Sequence, residues 1–197
     1  MFDCIYGERC IRTQCDLACP LHAEITYWME RCNITLSNPV LRIDTEQLNK
    51  CKSMVQNNTD GIFTYRAKNT VATADLFTYC AICLHGIGTN MRNGIYQLNF
   101  SEYIDENRKT WSTRTESEKL EFMKIWSNTS KDLIISHLDY VSFGDYECQM
   151  LLTLIQSRRL PGKTTYIIMP SETELVGRNS SFYSTMINEL KESEIRW

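Results

Sequence analysis

Leu133-Ile134-Ile135 is a continuous apolar run between Asp132 and Ser136. Side chains alternate across a strand, so a run without polar interruption must be covered on both faces. That requirement selects a parallel sheet with helices packed on either side. Ile62–Tyr65, Ile95–Phe100 and Thr165–Met169 read as three further strands. Val71–His85, Thr115–Trp126, Gly144–Arg158 and Ser181–Lys191 carry apolar residues at helical spacing, and Ser101-Glu102 opens a short helix. Strands that alternate with helices predict parallel pairing. The expected fold class is α/β, a parallel sheet flanked by helices over residues 61–197. Before it, residues 1–35 are expected to form a Cys-rich module with a helix over Leu21–Asn33, and residues 36–60 a helical connector carrying Thr45–Asn57.

A chain of 197 residues, 43% apolar and 23% charged, can bury a substantial core. Its formal net charge of −3 gives no support for broad electrostatic binding to nucleic acid. No basic segment followed by an apolar run opens the chain, and no apolar stretch approaches the roughly 20 residues a spanning helix needs. These features predict an intracellular, cytoplasmic protein with no membrane partner.

Nine cysteines in such a chain favour metal binding or buried thiols over disulfides. Cys4, Cys10, Cys15 and Cys19 fall within one short segment that lacks hydrophobic period. Four thiolates suffice for tetrahedral Zn²⁺, or less readily an iron–sulfur cluster, and a metal would supply the missing source of order. His22 and Cys32 are substitute ligands. The competing reading is a set of free thiols packed beneath the first helix. Cys80, Cys83 and Cys148 read as core residues of helices.

Several stretches carry a family resemblance. Gly94-Ile95-Tyr96-Gln97-Leu98-Asn99-Phe100-Ser101-Glu102-Tyr103-Ile104 resembles the second strand and following helix of the DnaC/DnaI-like helicase-loader ATPases of the AAA+ class, especially the short forms of phages and mobile elements. Lys131-Asp132-Leu133-Ile134-Ile135 is similar to their Walker B strand. Leu151–Arg159 and Pro161–Ile168 resemble the helix before the sensor strand and the approach to it. The Cys-rich start is also similar to leaders of some phage loader-like proteins. The resemblance implies a P-loop NTPase-like domain and a role in DNA replication.

The departures from that pattern bear on function. A phosphate loop needs glycines so that backbone N–H groups can wrap the phosphates, a Lys for their charge and a Ser/Thr for Mg²⁺. Tyr65-Arg66-Ala67-Lys68-Asn69-Thr70-Val71-Ala72-Thr73-Ala74 contains no glycine. By length the lysine position falls at Thr73 and the hydroxyl position at Ala74. A shifted reading uses Lys68-Asn69-Thr70 as a remnant. His137 and Leu138 replace the paired acids that end a Walker B strand, and Asp139 lies one residue beyond, where strand alternation would turn it to the other face. The polar sensor position falls at Pro170. His85-Gly86-Ile87-Gly88 follows a helix rather than a strand, so it is a helix stop and not a phosphate loop.

Two further groups stand out. Arg158 and Arg159 close a helix where such ATPases contact a neighbour, and could donate charge in trans; a solvated pair at the negative helix end is the alternative. His137 has no partner evident in sequence and reads as structural. The expectation is therefore a pseudo-ATPase: no catalytic residues, no bound ATP, and action through protein contact. The resemblance implies a replicative helicase, a loader ATPase or a related host complex as partner, with the N-terminal module as the docking element; a phage-encoded inhibitor of a host complex fits the same features. The alternatives are an active ATPase using Lys68 and Asp139, or a zinc-dependent nucleic-acid-binding protein.

Overall fold

The computed structural model describes residues 20–34, 45–86, 94–113, 117–171, 175–177 and 180–195. The elements are α1 (Pro20–Arg31), α2 (Thr45–Asn57), β1 (Gly61–Ala67), α3 (Thr70–Ala81), β2 (Ile95–Asn99), α4 (Phe100–Thr113), α5 (Glu118–Thr129), β3 (Asp132–Ser136), α6 (Asp145–Ser157), β4 (Thr164–Pro170) and α7 (Ser181–Glu192). A π-helical turn, Ile82–Gly86, extends α3, and a 3₁₀ turn, Leu138–Tyr140, follows β3.

The four strands are all parallel, in the order β1-β4-β3-β2. Alternation along the two central strands divides the apolar residues into two cores. Ile134, Tyr166 and Ile168 join Tyr65, Trp28, Met29, Cys51, Val55 and Phe77 on the face covered by α1, α2 and α3. Leu133, Ile135, Ile167 and Met169 join Leu98, Leu120, Leu151, Met186 and Leu190 on the face covered by α4–α7. The expected α/β fold, a parallel sheet flanked by helices, is the one found. Because α1 and α2 share a core with the sheet, the sequence divisions near residues 35 and 60 do not separate one core from another.

Boundaries moved in places. α4 is a full 14-residue helix rather than a short one, with Asn99 Oδ1 accepting from the Glu102 N–H at 3.2 Å. α5 begins at Glu118 because Ser117 caps it, accepting from the Leu120 N–H at 3.1 Å. Beyond α7 the chain returns to the outer edge of β1: the Thr64 N–H donates to Ser193 O at 2.8 Å and the Ile195 N–H to Thr64 O at 2.9 Å. A single parallel bridge, Thr64 to Glu194, thus extends the sheet beyond its four strands. No helix among the described residues is long and apolar enough to cross a membrane.

Candidate functional site

The topology itself points to one edge of the sheet. From β1 the chain leaves over the α3 face to reach β2 at the far side, whereas from β4 it leaves over the α7 face to the outer edge of β1. Where neighbouring parallel strands send their connections in opposite directions, a crevice opens beyond their carboxyl ends, and ligands of such sheets bind there. In this chain that crevice lies past Ala67 and Pro170. It is drawn together by two contacts: the Ser171 N–H donates to Ala67 O at 2.9 Å, and Arg66 Nη1 donates to Pro170 O at 3.3 Å. The Arg66 side chain is itself fixed by Glu194, 3.1 Å from Nε. Pro170, at the sensor position, offers no polar side chain and uses its carbonyl in this closure.

Only Lys68 and Asn69 connect β1 to α3. Asn69 is the N-cap, with extended backbone, and its Oδ1 accepts from the Ala72 N–H at 2.9 Å. That is the preferred use of an asparagine before a helix, and it consumes a donor that would otherwise face the crevice. Thr73, the lysine position by length, lies inside α3, its N–H donating to Asn69 O at 3.0 Å. The shifted register, Lys68-Asn69-Thr70, is therefore the one that meets the crevice.

The end of β3 departs from the alternation expected of it. The strand stops at Ser136, and His137 takes a left-handed conformation, φ 60° and ψ 33°. Such a backbone is uncommon for a residue with a side chain, histidine being among the more tolerant. Its imidazole Nδ1 lies 2.8 Å from Ser136 Oγ, and its ring packs 5.5 Å from that of Tyr140. The turn sends Leu138 into the core, fully buried, and swings Asp139 toward α3. Thr70 Oγ1 then donates to both Asp139 oxygens, at 3.2 and 3.1 Å. Strand parity had put Asp139 on the opposite face; the left-handed residue overturns that, because parity applies only while the chain stays extended.

Thr70 entered the sequence reading only as the end of the shifted remnant, and its pairing with Asp139 was missed. Its signal was available: an asparagine followed by a helical run marks an N-cap at Asn69 and makes Thr70 the first residue of the helix.

The arginine pair lies at the opposite, amino-terminal edge of the sheet. Arg158 is fully buried and donates to Thr165 Oγ1 at 3.1 Å and to the carbonyls of Lys131 at 2.8 Å, Thr164 at 2.9 Å and Ser130. Burial pushes its pKa down to about 10, opposed by the charge of Asp132. A guanidinium so held ties α5, β3 and β4 together and is not presented to a neighbour. Only Arg159 reaches the surface, where it pairs with Glu189. At the same edge the buried Asp132 carboxylate lies 2.8 Å from His85 Nδ1.

The proposed metal ligands Cys4, Cys10, Cys15 and Cys19 lie outside the described residues. Among the described residues no group of three or more His, Cys, Asp or Glu side chains is placed to hold a metal ion. Cys32 is buried against β2, its thiol 3.6 Å from Ile95 O, and burial pushes its pKa up to about 12. Cys51, Cys80, Cys83 and Cys148 are buried within the two cores.

A triphosphate and its Mg²⁺ need a glycine-rich wrap of N–H donors, a lysine and a hydroxyl–carboxylate pair. The crevice has the last of these in Thr70 and Asp139 and carries Lys68 beside it. It lacks the wrap: two residues make the connection, neither is glycine, and the Asn69 side chain is taken up in capping the helix. The donor set does not fit the phosphates.

No protein-family model matches the chain, and no curated protein matches it. Solved structures do share its fold. A DNA replication initiation factor aligns with a TM-score of 0.50 at 11% identity, over 75% of this chain and 45% of that one. The replication initiator DnaA bound to AMPPCP and single-stranded DNA aligns with a TM-score of 0.51 at 9% identity, over 92% of this chain and 52% of that one. This chain spans about half the length of those chains. At such identities the likeness is one of fold: a parallel α/β domain with helices on both faces of the sheet.

Proposed function

We propose that this protein acts on a DNA-replication complex through protein–protein contact and does not turn over nucleotide, as a loader-like relative of replication ATPases. The observation that carries the reading is the two-residue connection from β1 to α3, with the Asn69 side chain engaged as the helix cap. Phosphoryl transfer depends almost wholly on positioning and charge stabilisation, so a crevice without the phosphate wrap has no substitute chemistry to offer. What such a domain keeps is its surface. The replicative helicase and its loader ATPase are the partners this reading favours, with assistance and inhibition both open to it. A structural Zn²⁺ on Cys4, Cys10, Cys15 and Cys19 belongs to the same proposal.

A second reading has one observation in its favour. Thr70 and Asp139 meet as the Mg²⁺-holding hydroxyl and carboxylate of a nucleotide site do, with Lys68 adjacent. An active ATPase with an unorthodox loop would use these three. Purified chain mixed with replicative helicase, with loader ATPase and with each alone separates the two. Stable association that is indifferent to ATP supports the first; hydrolysis by the isolated chain that Lys68→Ala abolishes supports the second. Metal analysis of folded protein tests the zinc site, which fails below about half an equivalent of Zn.

A further inference from the structure

The crevice edge carries a tie between its two sides that needs no ligand. One side is the start of α3, which belongs to the core on the α1–α3 face; the other is the turn from β3 into α6, which belongs to the opposite core. In a sheet of this topology a ligand at the switch point spans these two sides. Here Thr70, 4% exposed, spans them itself by donating to both oxygens of Asp139.

The left-handed turn at His137 makes that contact geometrically available. Had the chain continued extended, Asp139 would point away from α3. A strained conformation persists only where its surroundings over-determine it. The surroundings here are the buried Leu138, the Ser136–His137 contact and the Val141 N–H donating to Leu138 O at 3.2 Å. On the β1–β4 side the Ser171–Ala67 and Arg66–Pro170 contacts close the same crevice independently.

We infer that the Thr70–Asp139 contact is a built-in clasp that holds the β1–α3 and β3–α6 connections in one arrangement without a ligand. The inference rests on the proposal that the crevice takes no nucleotide, and it adds a regulatory consequence: the surface formed by these connections is presented constitutively. Thr70 and Asp139 are positioning residues in this scheme.

Hydrogen exchange of the full-length chain tests it. Thr70→Val removes the hydroxyl at nearly constant shape, and Thr70→Ser restores it. Loss of a hydrogen bond to a carboxylate should speed exchange of residues 70–73 and 137–143 roughly tenfold in Thr70→Val, with the rest of the sheet unchanged and Thr70→Ser like the parent. Asp139→Ala, a change at an exposed side chain, should do the same and serves if Thr70→Val does not fold. Exchange in these segments that is unchanged in the folded variants, with no effect of MgATP on the parent, would overturn the clasp alone. Strong protection of the parent's segments by MgATP would overturn the underlying proposal, and the clasp with it.

Discussion

The indole of Trp28 occupies the space where a side chain at position 94 would begin: a Cβ on Gly94 would lie 2.2 Å from Trp28 Cη2 and 2.6 Å from Cζ3. Trp28 is 2% exposed and anchors α1 to the start of β2. Gly94→Ala should therefore cost about 1–3 kcal/mol through overpacking, not through backbone strain. The midpoint of urea unfolding measures it, and Trp28→Phe in the Gly94→Ala background should recover part of the loss by shortening the ring.

Arg158 and Arg159 are neighbours in sequence and opposites in consequence. Arg158→Met leaves the carbonyls of Ser130, Lys131 and Thr164 without their donor and Asp132 without its nearby positive charge. A loss on the order of 3–5 kcal/mol is expected. Lysine should not rescue it, because one ammonium cannot reproduce the planar fork. Arg159→Ala, at an exposed ion pair, should stay within about 0.5 kcal/mol. Denaturant titration of the variants checks the contrast.

His137 holds a positive φ that β-branched residues resist. His137→Val should destabilise the chain by about 1–2 kcal/mol. His137→Gly removes the Cβ penalty while forfeiting the Ser136 contact, and should fall close to the parent. The order glycine equal to histidine, both above valine, is the expected result of thermal unfolding.

Burial alone pushes the Cys51 thiol from 9.0 up to about 12. Its folded pKa lies above its unfolded one, so the folded state keeps the proton longer. The stability this represents is fully present below pH 9 and is lost as the pH rises toward 12. Cys32, also pushed up to about 12 by burial, adds to the same slope. Unfolding free energy measured from pH 7 to 11 should fall above 9, and Cys51→Ala should flatten that fall while lowering stability at neutral pH.

The sheet was legible because its two central strands carry continuous apolar runs that must be sandwiched. Leu133-Ile134-Ile135 and Tyr166-Ile167-Ile168-Met169 divide between the two cores by simple parity. The edge chemistry was less so. Asp139 was assigned to the wrong side because parity was extended past Ser136, and a single left-handed residue is not visible in a histidine codon's worth of sequence. Arg158 looked like a surface residue because arginines at helix ends usually are. Its burial depends on carbonyls from three elements that meet only in the folded chain. The absence of glycine between β1 and α3, by contrast, was readable directly, and the structure adds the reason it matters: the helix begins after two residues and caps itself.

The central claim is that the crevice past Ala67 and Pro170 does not receive a triphosphate. Equilibrium titration of the full chain with ATP in the presence of Mg²⁺, followed by calorimetry, tests it most directly. No saturable heat is expected at millimolar nucleotide, and none should be gained by Asn69→Gly, which opens the cap without supplying the wrap. Saturable binding that is lost in Lys68→Ala would contradict it.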